Sequence, residues 1–239
     1  MGNVVIRFDP ELFMDRLGIE GDDRQLLMRE VFKSPEWVMM DRGSLTDEQA
    51  AEIMCARAPE RLGDAVHKLV AFWHRPILEI EGIPALIEEL KGLGYRIYLL
   101  SNASYRQHDY WPRVPCSRFF DGTLISCDVK LVKPMPEIYL RMCQTFGLRA
   151  DECFFIDDST ANVEAARYTG MHGVVFFEDM ARLRREEQLR QQNQELIAFR
   201  EQRLARERGD ALDKVKSLEG EPHSLKNRFR RQFSRRKRR

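Results

Sequence analysis

The sequence predicts an α/β fold, a parallel sheet layered with helices, on three observations. Short apolar runs at Arg96–Leu100, Cys153–Ile156 and Gly173–Phe177 alternate with helical patterns, at the spacing of strand–helix–strand units. Two of these runs end in small polar or acidic residues, Ser101-Asn102 and Asp157-Asp158. The stretch from Pro10 to Arg75, by contrast, is helical in pattern and holds no long strand, so it reads as a helical module set apart from the sheet. Beyond the carboxyl ends of parallel strands, side chains and helix N-termini converge, and ligands bind there.

In chain order, Asn3–Phe8 is a short apolar run, NVVIRF, interrupted by Arg7. Asp9-Pro10 then opens a helix through about Leu17, with Asp9 as N-cap and Pro10 in the first turn. Further helices are predicted at Asp23–Phe32, Thr46–Ala58 and Gly63–Trp73. The second of these follows the turn Gly43-Ser44 and starts with a capping box, Thr46 to Gln49. Pro84–Leu93 presents Leu86, Ile87, Leu90 and Leu93 on one side and closes at Gly92–Gly94. After the strand at Arg96–Leu100 come an irregular passage through Trp111-Pro112, a turn at Phe119–Gly122 and a strand at Thr123–Ser126. Helices at Glu137–Phe146 and Thr160–Tyr168 flank the strand at Cys153–Ile156, and Gly173–Phe177 is the last strand.

These elements divide the chain into an α/β core of residues 1–9 and 76–178, a helical cap of residues 10–75, a charged helix over 179–221 and a basic tail over 222–239. The net charge of +1 hides an asymmetry. Residues 222–239 hold nine Lys or Arg and no Asp or Glu, which leaves the other 221 residues at −8. Only the tail suits a polyanion, and Phe229 and Phe233 among its arginines offer stacking to a nucleic acid or insertion at an anionic surface. No run of about 18 apolar residues exists for a membrane span, and no basic-then-apolar segment opens the chain as a signal peptide. The five cysteines make no CxxC, so free thiols in a cytoplasmic protein are expected.

A hydroxyl, an ammonium and paired carboxylates at strand and loop ends suit a site that holds a phosphate beside a divalent cation. Asp158 offers the hard oxygen that Mg²⁺ prefers. Asp157 accepts from metal-bound water or from Lys133, and Asn162 reaches the same face. Ser101 with the amides after it binds phosphate oxygens, and Lys133 pairs with phosphate and carboxylate. Each has a plainer reading: the aspartates as caps of the following helix, Ser101-Asn102 as a turn, Lys133 as a solvated lysine.

With these motifs in order, the chain resembles the haloacid dehalogenase superfamily of hydrolases, in the branch with sugar-phosphate phosphatases similar to alpha-D-glucose-1-phosphate phosphatase. Ser101 with Asn102 matches the second motif, Lys133-Pro134 in LVKPMPEIYL the third and Asp157-Asp158 in FFIDDSTANVEAA the fourth. Trp111-Pro112 also resembles this branch, and Pro10–Arg75 the family's cap. The resemblance implies a Rossmann-like core with its first central strand cut short, Mg²⁺ as cofactor, and hydrolysis of a small phosphorylated metabolite such as a sugar phosphate. In that mechanism Asp158 binds the metal and Asp157 orients or shares it, while Ser101, Asn102 and Lys133 hold the phosphoryl group. GNVVI resembles the segment after the family's nucleophile, so the nucleophilic aspartate is expected one residue before Met1, in a longer natural chain. The alternatives are a catalytically inactive relative, or a protein that binds anionic surfaces or nucleic acid through its tail. Where many relatives carry a second acid, this chain has Gly2, so leaving-group protonation falls to the cap, to water, or to neither. Trp37, Arg42 and His74 of the cap and Asp9 at its entrance are the candidate substrate contacts, His108 is a further residue able to face the site, and a monomer or homodimer is expected.

Overall fold

The computed structural model describes residues 1–186 and scattered positions between 188 and 209. The charged helix expected over 179–221 therefore falls mostly outside the described residues, and the basic tail wholly so. Met1–Leu183 forms one compact unit.

Its first half is helical. Asp9 accepts from Leu12 N at 3.1 Å and starts α1 (Pro10–Arg16). α2 (Asp22–Leu27) continues as a wide π turn over Met28–Phe32. α3 (Pro35–Asp41) is a helix absent from the sequence-based expectation, although Ser34-Pro35 signals it: the Ser34 hydroxyl caps Trp37 N and the proline sits at the first position. α4 (Asp47–Cys55) begins with the expected capping box of Thr46 and Gln49, and α5 (Gly63–Phe72) follows. These helices bury Phe13, Met14, Leu27, Val31, Met54, Val66 and Leu69 together, in an apolar cluster of their own.

The second half alternates helix and strand. α6 (Ile83–Gly92) leads to β1 (Tyr98–Ser101), then α7 (Gln107–Tyr110), β2 (Gly122–Ile125) and α8 (Ser126–Val129). α9 (Pro136–Phe146) precedes β3 (Phe154–Asp157), α10 (Thr160–Tyr168) and β4 (His172–Val175). β1 pairs with β2 in parallel, Ser101 opposite Ile125, and β3 with β4, Asp157 opposite Val175. The core is thus a Rossmann-like α/β layer in two parallel pairs.

In place of a full first strand, the N-terminal residues make a tight turn. Val4, Val5 and Ile6 all direct their N–H groups at the Met1 carbonyl, and only Gly2 and Ile6 make single bridges, Ile6 to Gly2 and to Glu79. Apolar character still places this segment: Met1, Val4, Val5 and Ile6 share one buried cluster with Leu99 of β1 and Val174 of β4. Its side chains fill the slot between the pairs although its backbone does not extend a ladder through it.

Candidate active site

β1 and β3 both end at one cavity of about 210 Å³. Ser101, Asn102, Lys133, Asp158 and Asn162 line it from the core, Met1, Gly2 and Asn3 from the N-terminal turn, and Trp37, Met40, Asp41, Val70 and Trp73 from the helical half.

Lys133 is the central group. It is 7 % exposed, and its Nζ donates to Asp157 Oδ2 at 2.6 Å and to the Leu100 carbonyl at 3.2 Å, so one ammonium ties the end of β3 to β1. Asn102 holds the lysine's backbone from both sides, accepting from Lys133 N at 2.8 Å and donating to Lys133 O at 3.0 Å. Asp157 is fully engaged. Beyond Lys133 it accepts from Ser159 N at 3.0 Å and from Asn162 Nδ2 at 2.8 Å. Burial alone raises its carboxyl, but the Lys133 charge and these hydrogen bonds more than reverse that, and the net shift is below the ordinary carboxylate range.

Asp158 is left exposed at the cavity, with one long contact from Asn3 Nδ2 at 3.3 Å. Its oxygens suit a hard divalent cation, whereas those of Asp157 are taken by protein donors. Ser101 is 1 % exposed and donates to Gln107 Oε1 at 2.7 Å, while Gln107 Nε2 is buried without a partner. The Met1 amine lies buried among Lys133, Asp157, Asp158 and Asp41, and desolvation first, then Lys133, pull its pKa down to about 5.

The cap candidates separate. Trp37 lines the cavity, in an aromatic group with Phe8, Phe32 and Trp73. Arg42 instead donates to the Lys130 carbonyl at 3.3 Å, on the seam between the helical half and the core. His74 is 5 % exposed and lies one layer back, stacked on Tyr110 at 4.6 Å, with Nδ1 unpartnered; burial, then Arg75, Arg106 and Arg113, lower its pKa to about 4. Asp9 serves as the cap of α1 and does not line the cavity. His108 is exposed and bonded to Asp128 at 3.0 Å. Together with Cys127 these two gather ligand atoms within 4.8 Å of one another, but burial pushes the Cys127 thiol up to about 12, which opposes a thiolate ligand.

Asn3, Tyr110 and Asp41 are among the cavity residues that escaped the sequence-based expectation. Asp41 ends α3, partly exposed where it lines the cavity, and burial raises its carboxyl from 3.8 to about 7, against the opposing pull of Lys133. The signal is present in part, because the Ser34 cap fixes α3 and so its last residue.

A folded-state pKa above the unfolded one gives a definite pH dependence. Folded protein holds this proton more tightly, so the stabilisation is complete below 3.8 and is lost as pH rises through about 7. Asp41→Asn is therefore expected to raise stability relative to the parent at pH 8 and to leave it nearly unchanged at pH 4. Urea denaturation at the two pH values reads this, and an equal effect at both would contradict it.

Among the described residues no helix is long and apolar enough to cross a membrane. A family model described as haloacid dehalogenase-like hydrolase matches residues 33–170. Flavin mononucleotide hydrolase 1 of Arabidopsis thaliana is 29% identical over 97 residues, which cover 41% of this chain and 40% of that protein. A sesquiterpene phosphatase of Aspergillus oryzae is 31% identical over 104 residues, 41% of this chain and 50% of that one. The chain thus spans half or less of the length of these curated relatives. A HAD family enzyme of Bacteroides thetaiotaomicron, in complex with magnesium and inorganic phosphate, superposes with a TM-score of 0.58 at 20% identity, over 75% of this chain and 92% of that one. A dehalogenase with an intermediate complex superposes at 0.59 with 19% identity, over 74% and 81%. With a family model matched over more than half its length, and Ser101 at the end of β1, Asp158 just past β3 and Lys133 from the loop before α9 meeting at one cavity, the chain belongs to the haloacid dehalogenase-like hydrolases.

Proposed function

We propose that this protein is a Mg²⁺-dependent phosphomonoester hydrolase for a small phosphorylated metabolite, with a sugar phosphate as the favoured substrate class. The observation that carries the reading is the buried Lys133 ammonium at the cavity wall, held by Asn102 and Asp157 beside the exposed Asp158 carboxylate. This juxtaposition offers a cation for phosphoryl oxygens and a hard ligand for a metal within one enclosure. Two relatives are named for phosphate-ester substrates or phosphatase activity, and one structural neighbour holds magnesium with inorganic phosphate. The aromatic side chains of Trp37 and Trp73 on the cavity wall offer apolar surface to the C–H groups of a sugar ring, and Asp41 suits its hydroxyls.

In this reading Asp158 holds Mg²⁺, with Asp157 acting mainly through Lys133. A divalent cation held by Asp158 would supply charge neutralisation to the phosphoryl group. Ser101 and Lys133 bind the equatorial oxygens as charge develops on them. Asp157 aims the Lys133 ammonium, and Asn102 fixes its backbone. The attacking carboxylate is an aspartate preceding Met1. Its oxygen bonds to phosphorus, the ester oxygen leaves, and water then hydrolyses the aspartyl phosphate.

The test compares this chain with one extended so that an aspartate precedes Met1. Phosphate release is measured on a panel of sugar and other small phosphomonoesters, with Mg²⁺ and with a chelator. Turnover is expected from the extended chain with Mg²⁺ alone. No release from either chain, or metal-independent turnover of a haloacid in its place, overturns the proposal.

A further inference from the structure

We propose that Asp41 is the acid that protonates the departing ester oxygen, and the base that later takes a proton from the attacking water. The inference rests on the phosphatase reading above and deepens it, by naming the group that works opposite the phosphoryl site.

The position of Asp41 is what assigns it. Of the carboxylates that line the cavity, Asp158 stands on the core wall beside Asn3, and Asp41 stands on the helical wall between Met40 and the seam with the core. The two therefore face the enclosure from different layers. Around Asp41 the helical wall is otherwise apolar or aromatic, Trp37, Met40, Val70 and Trp73, so it is the proton-carrying group that this wall presents to a leaving group. Among the described residues no hydrogen bond or ion pair engages its carboxylate, in contrast to Asp157, which is consumed by Lys133, Ser159 and Asn162.

The backbone beneath the carboxyl is held by the core. Ser126 Oγ, buried at the start of α8, donates to the Asp41 carbonyl and accepts from Ala103 N at 2.9 Å. Ala103 lies two residues past Ser101, so one hydroxyl fixes the end of α3 against the loop that carries the phosphate-binding serine. Arg42 Nε to Lys130 O, Lys130 Nζ to Gly43 O, and Arg106 Nε to Asp47 Oδ2 at 2.5 Å add to the same seam. An acid or base needs this kind of registration to the reacting atoms.

The charged and titratable groups that act on or feel Asp41 are Lys133, Asp47, the Met1 amine, Tyr110 and Cys127. Burial outweighs the cations, and the carboxyl titrates at about 7, where a group can both give and take a proton. With its pKa drawn down to about 5, the Met1 amine is uncharged near 7, so replacing it by a peptide bond removes no charge from beside Asp41 there.

The proton and electron counts close. As the upstream aspartate oxygen bonds to phosphorus, the phosphorus–ester oxygen bond breaks and its electron pair goes to the ester oxygen. That oxygen takes the Asp41 proton and departs as an alcohol. The oxygen of a water then bonds to phosphorus as the phosphorus–aspartate oxygen bond breaks, its electron pair returning to the aspartate. One water proton goes to the Asp41 carboxylate, inorganic phosphate departs, and both groups are back in their starting states.

The experiment uses the chain extended by the upstream aspartate, with Mg²⁺, and compares an alkyl phosphate with p-nitrophenyl phosphate. The latter carries a leaving group stable as an anion and needs no acid. Asp41→Asn is expected to lower kcat on the alkyl ester by about 10²–10⁴-fold and on the aryl ester far less. It is also expected to abolish the alkaline fall of the alkyl-ester rate that loss of the Asp41 proton causes in the parent. Asp41→Glu is expected to recover part of the alkyl-ester rate. Calorimetric titration of inorganic phosphate with Mg²⁺ into both variants reports whether the site is intact. Equal losses on both esters with phosphate binding retained, or an unchanged pH limb, overturn the role of Asp41. If the parent releases phosphate from neither ester, the phosphatase reading itself falls and takes this assignment with it.

Discussion

Lys133→Met should destabilise the fold by about 3–5 kcal/mol, the usual cost of stripping one partner from a buried ion pair. The Lys133 and Asp157 side chains are 4% and 3% exposed and 2.6 Å apart. Without the ammonium, Asp157 Oδ2 loses its donor inside the protein, while Oδ1 keeps Ser159 N and Asn162 Nδ2. The Leu100 carbonyl loses a donor as well. The damage must depend on pH with a definite sign. In the parent the Asp157 pKa is depressed, so its contribution is present above the unfolded value of 3.8 and is lost as pH falls through the lower folded value. In the variant the same carboxyl is buried without its cation, and its pKa moves upward. The deficit is therefore expected to be largest at neutral and alkaline pH and to shrink toward pH 4. Adding Asp157→Asn to Lys133→Met is expected to recover part of the loss at pH 8, because a neutral amide costs less to bury than an unpaired carboxylate. Urea denaturation of the parent, the single and the double variants at pH 5 and pH 8 reads all of this. A deficit below about 1 kcal/mol, the range of an exposed pair, would show that the pair is not insulated from water.

The second large effect is expected at Gly43, where the turn after α3 meets the core. Its φ of +71° is in the left-handed region, and a Cβ there would lie 2.5 Å from the Cys127 carbonyl oxygen and 3.0 Å from Cys127 Cα. Those are backbone atoms of α8, so no rotamer change relieves the contact. Gly43→Ala must open the seam and weaken the bonds from Ser126 to Asp41 O, from Arg42 to Lys130 O and from Lys130 to Gly43 O. Gly18 supplies the control. Its φ is +66°, with nothing within 4 Å of the place a methyl group would take, so Gly18→Ala carries only the conformational penalty, about 1 kcal/mol. Gly43→Ala is expected to lose at least about 2 kcal/mol more than the control, within the range for overpacking a close contact. Thermal denaturation of both variants measures the difference, and equal losses would mean that the seam yields freely.

Much of the core was legible because parallel strands buried on both faces read as apolar runs, and the residues just past each run are those the strand delivers. Ser101 and Asp157-Asp158 stood out for that reason, and β1, β3 and α10 form within two residues of their expected bounds. The N-terminal run was harder. NVVIRF has a strand's composition, but strand identity is settled by pairing partners, and here three amides turn back on the Met1 carbonyl. The helical half hid its contribution for a different reason. Amphipathic spacing says which side of a helix is buried, not which buried position meets a cavity, and Asp41 ends α3, a short helix that the sequence-based expectation lacked. Arg42 and His74 drew notice for their chemistry, yet one lies on the seam and the other packs on Tyr110 behind the cavity wall. Asn3 was masked by its apolar neighbours, although its side chain reaches both Phe8 N and Asp158.

The residue whose ammonium joins the two strand pairs also lines the cavity, so in the proposed reading architecture and chemistry draw on one charge. A survey of variants scored by cellular activity would rank position 133 among the most sensitive, and a survey scored by abundance would do the same. Neither ranking separates the two roles. An arginine at 133 keeps the charge but spreads it over a planar fork, which does not reproduce the paired grip on a carbonyl and a carboxylate. Tolerance at this position is thus set by the joint between strands before any ligand arrives, and selection for a new substrate has to proceed through the helical wall instead.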